Sequence, residues 1–134
     1  MKRIAAVAVM AALMSVSLVA VATAHTVRDD SMITFQVKKN GNDPDTFEGK
    51  VSSDRPRCVA DRLVLIKREV ADGDVVVGED RTNADGEYSS TAGNVQAGTY
   101  YAVVTRKVFL NNDVHKHLCK MAVSPERVVG GPRA

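Results

Sequence analysis

Val75-Val76-Val77-Gly78-Glu79-Asp80-Arg81 runs into Thr82-Asn83-Ala84-Asp85-Gly86 and leaves it as Glu87-Tyr88-Ser89-Ser90. Consecutive valines favour extended backbone, because branching at Cβ suits a pleated surface better than a helical turn. Asn83 to Gly86 makes a tight reversal, with Asn and Asp bonding back to nearby amides and Gly86 suited to a positive φ. The stretch therefore reads strand, turn, strand.

The same grammar extends in both directions. Upstream, Leu63-Val64-Leu65-Ile66 within Cys58 to Arg68 is apolar on both faces, as expected of a central strand. Met32 to Lys38 alternates, with Ile33, Phe35 and Val37 on one side and Thr34, Gln36 and Lys38 on the other. Phe47 to Ser53 alternates again, and Asp54-Arg55-Pro56-Arg57 breaks the chain. Downstream, Thr91 to Gly98 reads as a loop and Thr99 to Val108 as a strand with Tyr100, Ala102 and Val104 inward. Asn111-Asn112-Asp113 turns into His117 to Ser124, where Cys119, Met121 and Val123 would share a face. Pro125 interrupts, and Val128-Val129 is a candidate edge strand. Seven or eight short strands at this spacing predict an all-β sandwich over residues 32–129.

Thr82-Asn83-Ala84-Asp85-Gly86-Glu87-Tyr88, followed by Gly98-Thr99-Tyr100, resembles the strand-turn-strand signature of carboxypeptidase-regulatory-like and collagen-adhesin B-type domains. The resemblance spans roughly Phe47 to Val123. It implies a transthyretin-like (prealbumin-like) Greek-key sandwich, and a role as stalk, spacer, assembly or recognition module more often than as an enzyme. Some such domains carry a lysine isopeptide crosslink. Lys50 is the conceivable partner, but Tyr100 to Thr105 contains no acid to promote it. The transthyretin relatives that hydrolyse 5-hydroxyisourate end in Tyr-Arg-Gly-Ser, whereas this chain ends in Gly-Gly-Pro-Arg-Ala.

The N-terminus has the three-part layout of a cleavable export signal over residues 1–24. Met1-Lys2-Arg3 is positive, Ile4 to Val21 is uncharged and apolar, and Ala22-Thr23-Ala24 supplies small residues before cleavage between Ala24 and His25. A signal helix is thus expected first, then a flexible mature N-terminus at 25–31, the sandwich, and a disordered tail at 130–134. Removing 24 of 134 residues leaves 110, which suits one domain with no membrane span. The whole chain has 18 Lys and Arg against 16 Asp and Glu, and Lys2 and Arg3 leave with the signal. The mature chain is then close to neutral, which argues against a nucleic-acid partner. The two cysteines, Cys58 and Cys119, are expected to form one inter-strand disulfide in an oxidising compartment, extracellular, periplasmic or at the cell surface.

Few residues point to chemistry. Cleavage would expose His25 with a free α-amine, and amine, imidazole and a second imidazole from His115 or His117 can hold copper. On a strand His115, His117 and Cys119 project to one side, but a disulfide at Cys119 removes its thiolate. Aligning Gly86 with the glycine of a calcium loop puts Arg81 and Ala92 where carboxylates belong, so a calcium loop is excluded. There is no Gly-x-Ser-x-Gly nucleophile and no Trp for a sugar platform. Arg55, Arg57, Arg62, Lys116 and Lys120 form a candidate basic face. The reading is a secreted, non-catalytic module without a cofactor, binding an extracellular or cell-surface protein or polymer. Its alternative is a copper-binding protein using His25 with His115 or His117.

Overall fold

The computed structural model describes residues 24–112 and 114–130. The expected export signal lies outside the described residues except for Ala24, and the expected tail lies outside them except for Gly130. The described residues are all-β. Their strands are β1 (His25–Asp29), β2 (Met32–Ile33), β3 (Gln36–Lys38), β4 (Asp45–Ser52), β5 (Leu63–Arg68) and β6 (Val75–Arg81). The second half adds β7 (Glu87–Gly93), β8 (Gly98–Val104), β9 (Lys107–Asn111), β10 (His115–Cys119), β11 (Ala122–Val123) and β12 (Arg127–Val129). No helix among them is long and apolar enough to cross a membrane.

Two sheets form a β-sandwich-like body. One runs β11-β8-β5-β6, with β12 following β11 along the same edge of β8. The other has β4 at its centre, β7 on one side, and β2 then β3 on the other. Strand alternation turns Ile33, Phe47, Val51, Val64, Ile66, Tyr88, Tyr100, Ala102 and Val104 into a shared core, joined by Phe35 from the break between β2 and β3. Phe47 links the layers, its ring 5.9 Å from that of Phe35 and 5.6 Å from that of Tyr100. Val64 and Ile66 are fully buried on β5, the central strand read from the sequence.

The reversal after β6 closes as expected. Gly86 has φ 82°, its amide donates to the Asn83 carbonyl at 3.0 Å, and Asn83 Oδ1 accepts from the amides of Asp85 and Glu87. A Cβ at position 86 would collide with the Val51 carbonyl, so glycine is required on both counts.

Both discontinuous edges use one device. Between β2 and β3, Thr34 Oγ1 replaces a backbone carbonyl and accepts the Lys50 amide at 3.0 Å. The freed Thr34 carbonyl accepts from the Tyr88 hydroxyl at 2.6 Å. Between β11 and β12, Ser124 Oγ accepts the Ala102 amide at 2.9 Å, bridging the break that Pro125 imposes. Hydroxyls thus keep the neighbouring strands satisfied where an edge strand bends away. This is why 32–38 is two strands and not one, although Ile33 and Phe35 are buried as the alternation implied.

A third sheet, β1-β10-β9, continues beyond the sandwich. Two expected strands divide here: 99–108 into β8 and β9, and 117–124 into β10 and β11. The break at Lys120-Met121 resets the alternation, so Cys119 is buried while Met121 and Val123 are 61% and 55% exposed. The stretch 25–31, expected to be flexible, carries β1, which pairs in parallel with β10 from His25↔His115 to Asp29↔Cys119. These divisions and β1 replace the expected seven or eight strands with twelve among the described residues.

Candidate functional site

Two constellations occupy opposite ends of the three-stranded sheet. At its base, Cys58 and Cys119 form a disulfide with their Cα atoms 5.4 Å apart, both residues fully buried. Cys58 is on a 3-10 turn, Pro56–Cys58, and not on a strand, because Pro56 opens that turn and removes a ladder donor. The bond therefore joins a turn to the end of β10.

Beside it lies Arg62, fully buried. Its Nη1 donates to Ser31 Oγ at 3.0 Å and to the Cys58 carbonyl at 2.6 Å. Its Nη2 donates to the carbonyls of Thr105 at 2.8 Å and Lys120 at 2.9 Å. The guanidinium thus ties the start of β2, the cystine turn, the β8–β9 link and the β10–β11 link. Burial pushes its pKa below the ordinary value, yet arginine keeps its charge in proteins. Among the described residues Nε has no partner.

The candidate basic face does not assemble. Arg62 is in the core, Arg55 pairs with Asp29 at 3.3 Å, Lys120 pairs with Asp30 at 2.6 Å, and Arg57 lies 5.7 Å over the Phe109 ring. They were grouped by their expected nearness to the bridged cysteines; burial of Arg62 and the acids Asp29 and Asp30 at the end of β1 leave no shared, unpaired basic surface among them.

At the far end of the sheet, the parallel register sets His25 opposite His115 and Val27 opposite His117. His25 Nε2 and His115 Nδ1 are 3.2 Å apart, with ring centroids at 4.3 Å and planes perpendicular. The backbone under both rings is held. The His25 amide donates to the Val114 carbonyl at 3.1 Å, and Asn112 Oδ1 accepts from the amides of Val114 and His115 at 3.0 and 2.7 Å. His117 faces Phe109, with centroids 5.6 Å apart. Of the two histidines proposed to join His25, the structure brings His115 into nitrogen contact with it and sets the His117 ring 6.2 Å from that of His115, centroid to centroid. Among the described residues no three His, Cys, Asp or Glu side chains converge on a metal position.

Elsewhere, a wide cleft of about 700 Å³ opens between β3, β4, β7 and the end of β6. Its walls include Gln36, Lys50, Arg81, Tyr88 and Arg127. Lys50 is exposed and opposite Glu87, unlike a buried isopeptide lysine. A separate acidic group holds Glu69, whose pKa is raised chiefly by a hydrogen bond with Glu126. Beside it the Asp74 carboxylate accepts from the Tyr101 hydroxyl and pushes that phenol up to about 12.

No family model, curated protein or solved structure matches this chain.

Sequence reasoning missed Arg62 as a core residue and missed Lys39 with Asp45. The Asp45 carboxylate is buried and accepts from Lys39 Nζ at 2.8 Å and from the Val95 amide at 3.0 Å. Lys39 foremost, then the Val95 and Asn40 amides, hold its pKa below the usual carboxylate value against the opposing effect of burial. No local signal marks either residue, since a charged residue beside a turn ordinarily faces water.

Proposed function

We propose that this protein is an exported, non-catalytic module that does binding or structural work outside the cytoplasm. Its partner is an extracellular or cell-surface protein or polymer. The observation that carries the reading is the buried Cys58–Cys119 disulfide, which anchors a whole sheet to the sandwich. A fold that relies on such a bond belongs in an oxidising compartment, and small exported domains often supplement a limited core in this way. The finer assignment is a transthyretin-like Greek-key sandwich. It draws on the Thr82 to Tyr88 turn and on Gly98-Thr99-Tyr100, which leads β8 into the core. That assignment is an analogy of fold and motif, and function is argued from it only as a class.

Intact mass of the exported protein, with and without reduction, tests the compartment. A chain beginning at His25 that gains two hydrogens on reduction is expected; one retaining Met1 breaks the export reading. Retention of added, labelled mature protein on cells that lack it tests the binding role. Saturable retention competed by unlabelled protein is expected, and retention no greater than for an unrelated neutral protein rejects a surface partner.

A further inference from the structure

Cross-strand neighbours on a sheet carry their side chains from paired backbone positions, and here two such neighbours are both histidines. The nitrogens that meet, His25 Nε2 and His115 Nδ1, are 3.2 Å apart. Two imidazole nitrogens each about 2.0–2.1 Å from one ion, at that spacing, subtend about 100° at it, an angle suited to adjacent ligands. The pair also stands on fixed backbone, since Asn112 caps the turn before His115 and the Val114 carbonyl accepts from the His25 backbone nitrogen. Preorganised donors lose little freedom when an ion arrives. His25 is exposed and His115 half-buried, so an ion can enter and water can complete its shell.

We propose that His25 and His115 together hold one divalent late first-row ion across the β1–β10 pair, copper(II) being the tightest. Neutral imidazole suits this class of ion, and copper(II) heads the affinity order for nitrogen sites. The site differs from an amine-and-imidazole chelate. An ion on Nε2 of His25 sits on the nitrogen remote from that residue's own α-amine, so ring and amine do not close a ring around it. The pairing thus needs no free N-terminus. His117, two residues along β10, stands opposite Val27 and beside Phe109 with its ring centroid 6.2 Å from that of His115, so it is outside the contacting pair. The bound ion would pin β1, the outer strand of the third sheet, at the end opposite the disulfide.

The test is titration of copper(II) and zinc(II) into the mature protein beginning at His25, and into the same chain extended by an N-acetylated Ala24, which blocks chelation by the α-amine. One ion per chain and electron paramagnetic resonance coupling from two nitrogens are expected with copper. His25→Ala and His115→Ala should each weaken binding by more than about tenfold, while His117→Ala leaves it within about twofold. Copper should raise the melting temperature of the parent and not of His115→Ala, as expected of an ion that binds the folded state alone. His115→Gln repeats the test should the alanine variant fail to fold. Three results would overturn the site: affinity unchanged by loss of His115, equal loss in His117→Ala, or binding confined to chains with a free amine at His25. None of these bears on export or disulfide formation, which the intact mass reads separately.

Discussion

The sandwich and the three-stranded sheet are built from the same kind of strand but are held by different forces. In the sandwich, Phe47, Val51, Val64, Ile66, Ala102 and Val104 are at most 2% exposed, and burial of apolar surface carries the stability. In the β1-β10-β9 sheet, Val108 and Leu110 are 41% and 38% exposed, and Leu118 and Cys119 are the buried hydrophobic residues. That sheet is fixed at its base by a covalent bond, a buried guanidinium and the Arg55–Asp29 and Lys120–Asp30 pairs. Surface ion pairs contribute little individually, so the cystine and Arg62 are the anchors. A region too thin for its own core can still be ordered if it is tied to one.

The contrast can be broken from either side. Phe47→Ala removes the ring that spans both layers and should cost about 3–5 kcal/mol, read by urea denaturation as a loss of the whole fold. Replacing both cysteines by alanine reopens a loop with sequence separation 61. The chain-entropy model gives a loss of about 4 kcal/mol for a loop of that size. Here the two variants should part company: hydrogen exchange should accelerate first in β1, β9 and β10 without the disulfide, and throughout the sandwich in Phe47→Ala. Equal acceleration everywhere in the cysteine variant would mean that the two regions form one cooperative unit.

Arg62→Met keeps the length of the side chain and strips its donors from Ser31, Cys58, Thr105 and Lys120. A loss of about 2–3 kcal/mol is expected, since unpaired buried acceptors keep their desolvation cost. Full stability in that variant would show that packing, not hydrogen bonding, is what Arg62 supplies. The smallest effect belongs to the sandwich edge. Asp45 has a folded pKa below its unfolded one, so its contribution is present above the unfolded pKa and lost as pH falls through the folded value. Parent protein should therefore lose stability as pH falls through about 4, the pKa of an unfolded Asp, more steeply than Asp45→Asn. Parallel acid curves for the two proteins would remove Asp45 from the account.

Much of the sandwich was legible in the residues because its signals are local. Alternation at Ile33, Phe35, Phe47 and Val51, the doubly apolar run at Leu63 to Ile66, and the Asn83–Gly86 reversal each depend on a few neighbouring side chains. The third sheet was not. Its outer strand, His25-Thr26-Val27-Arg28-Asp29, has one apolar residue and no period-two pattern, so it forms only because β10 offers an unpaired edge. Val108 and Leu110 resemble a continuation of β8, and nothing within ten residues says that the chain changes sheets after Val104.

What the sequence by itself determined is the strand-rich character, the turn at Gly86, the central place of β5 and the expectation of one bond between the two cysteines. All of these follow from backbone preference, periodicity and the number of thiols. What only the tertiary structure decided is which charged residue is buried and which histidine meets which. Arg62 enters the core because four distant oxygens surround it, and His25 meets His115 and not His117 because the parallel register of β1 on β10 starts where it does. Register is a property of two segments about 90 residues apart, set by the contacts they make and invisible in either one alone.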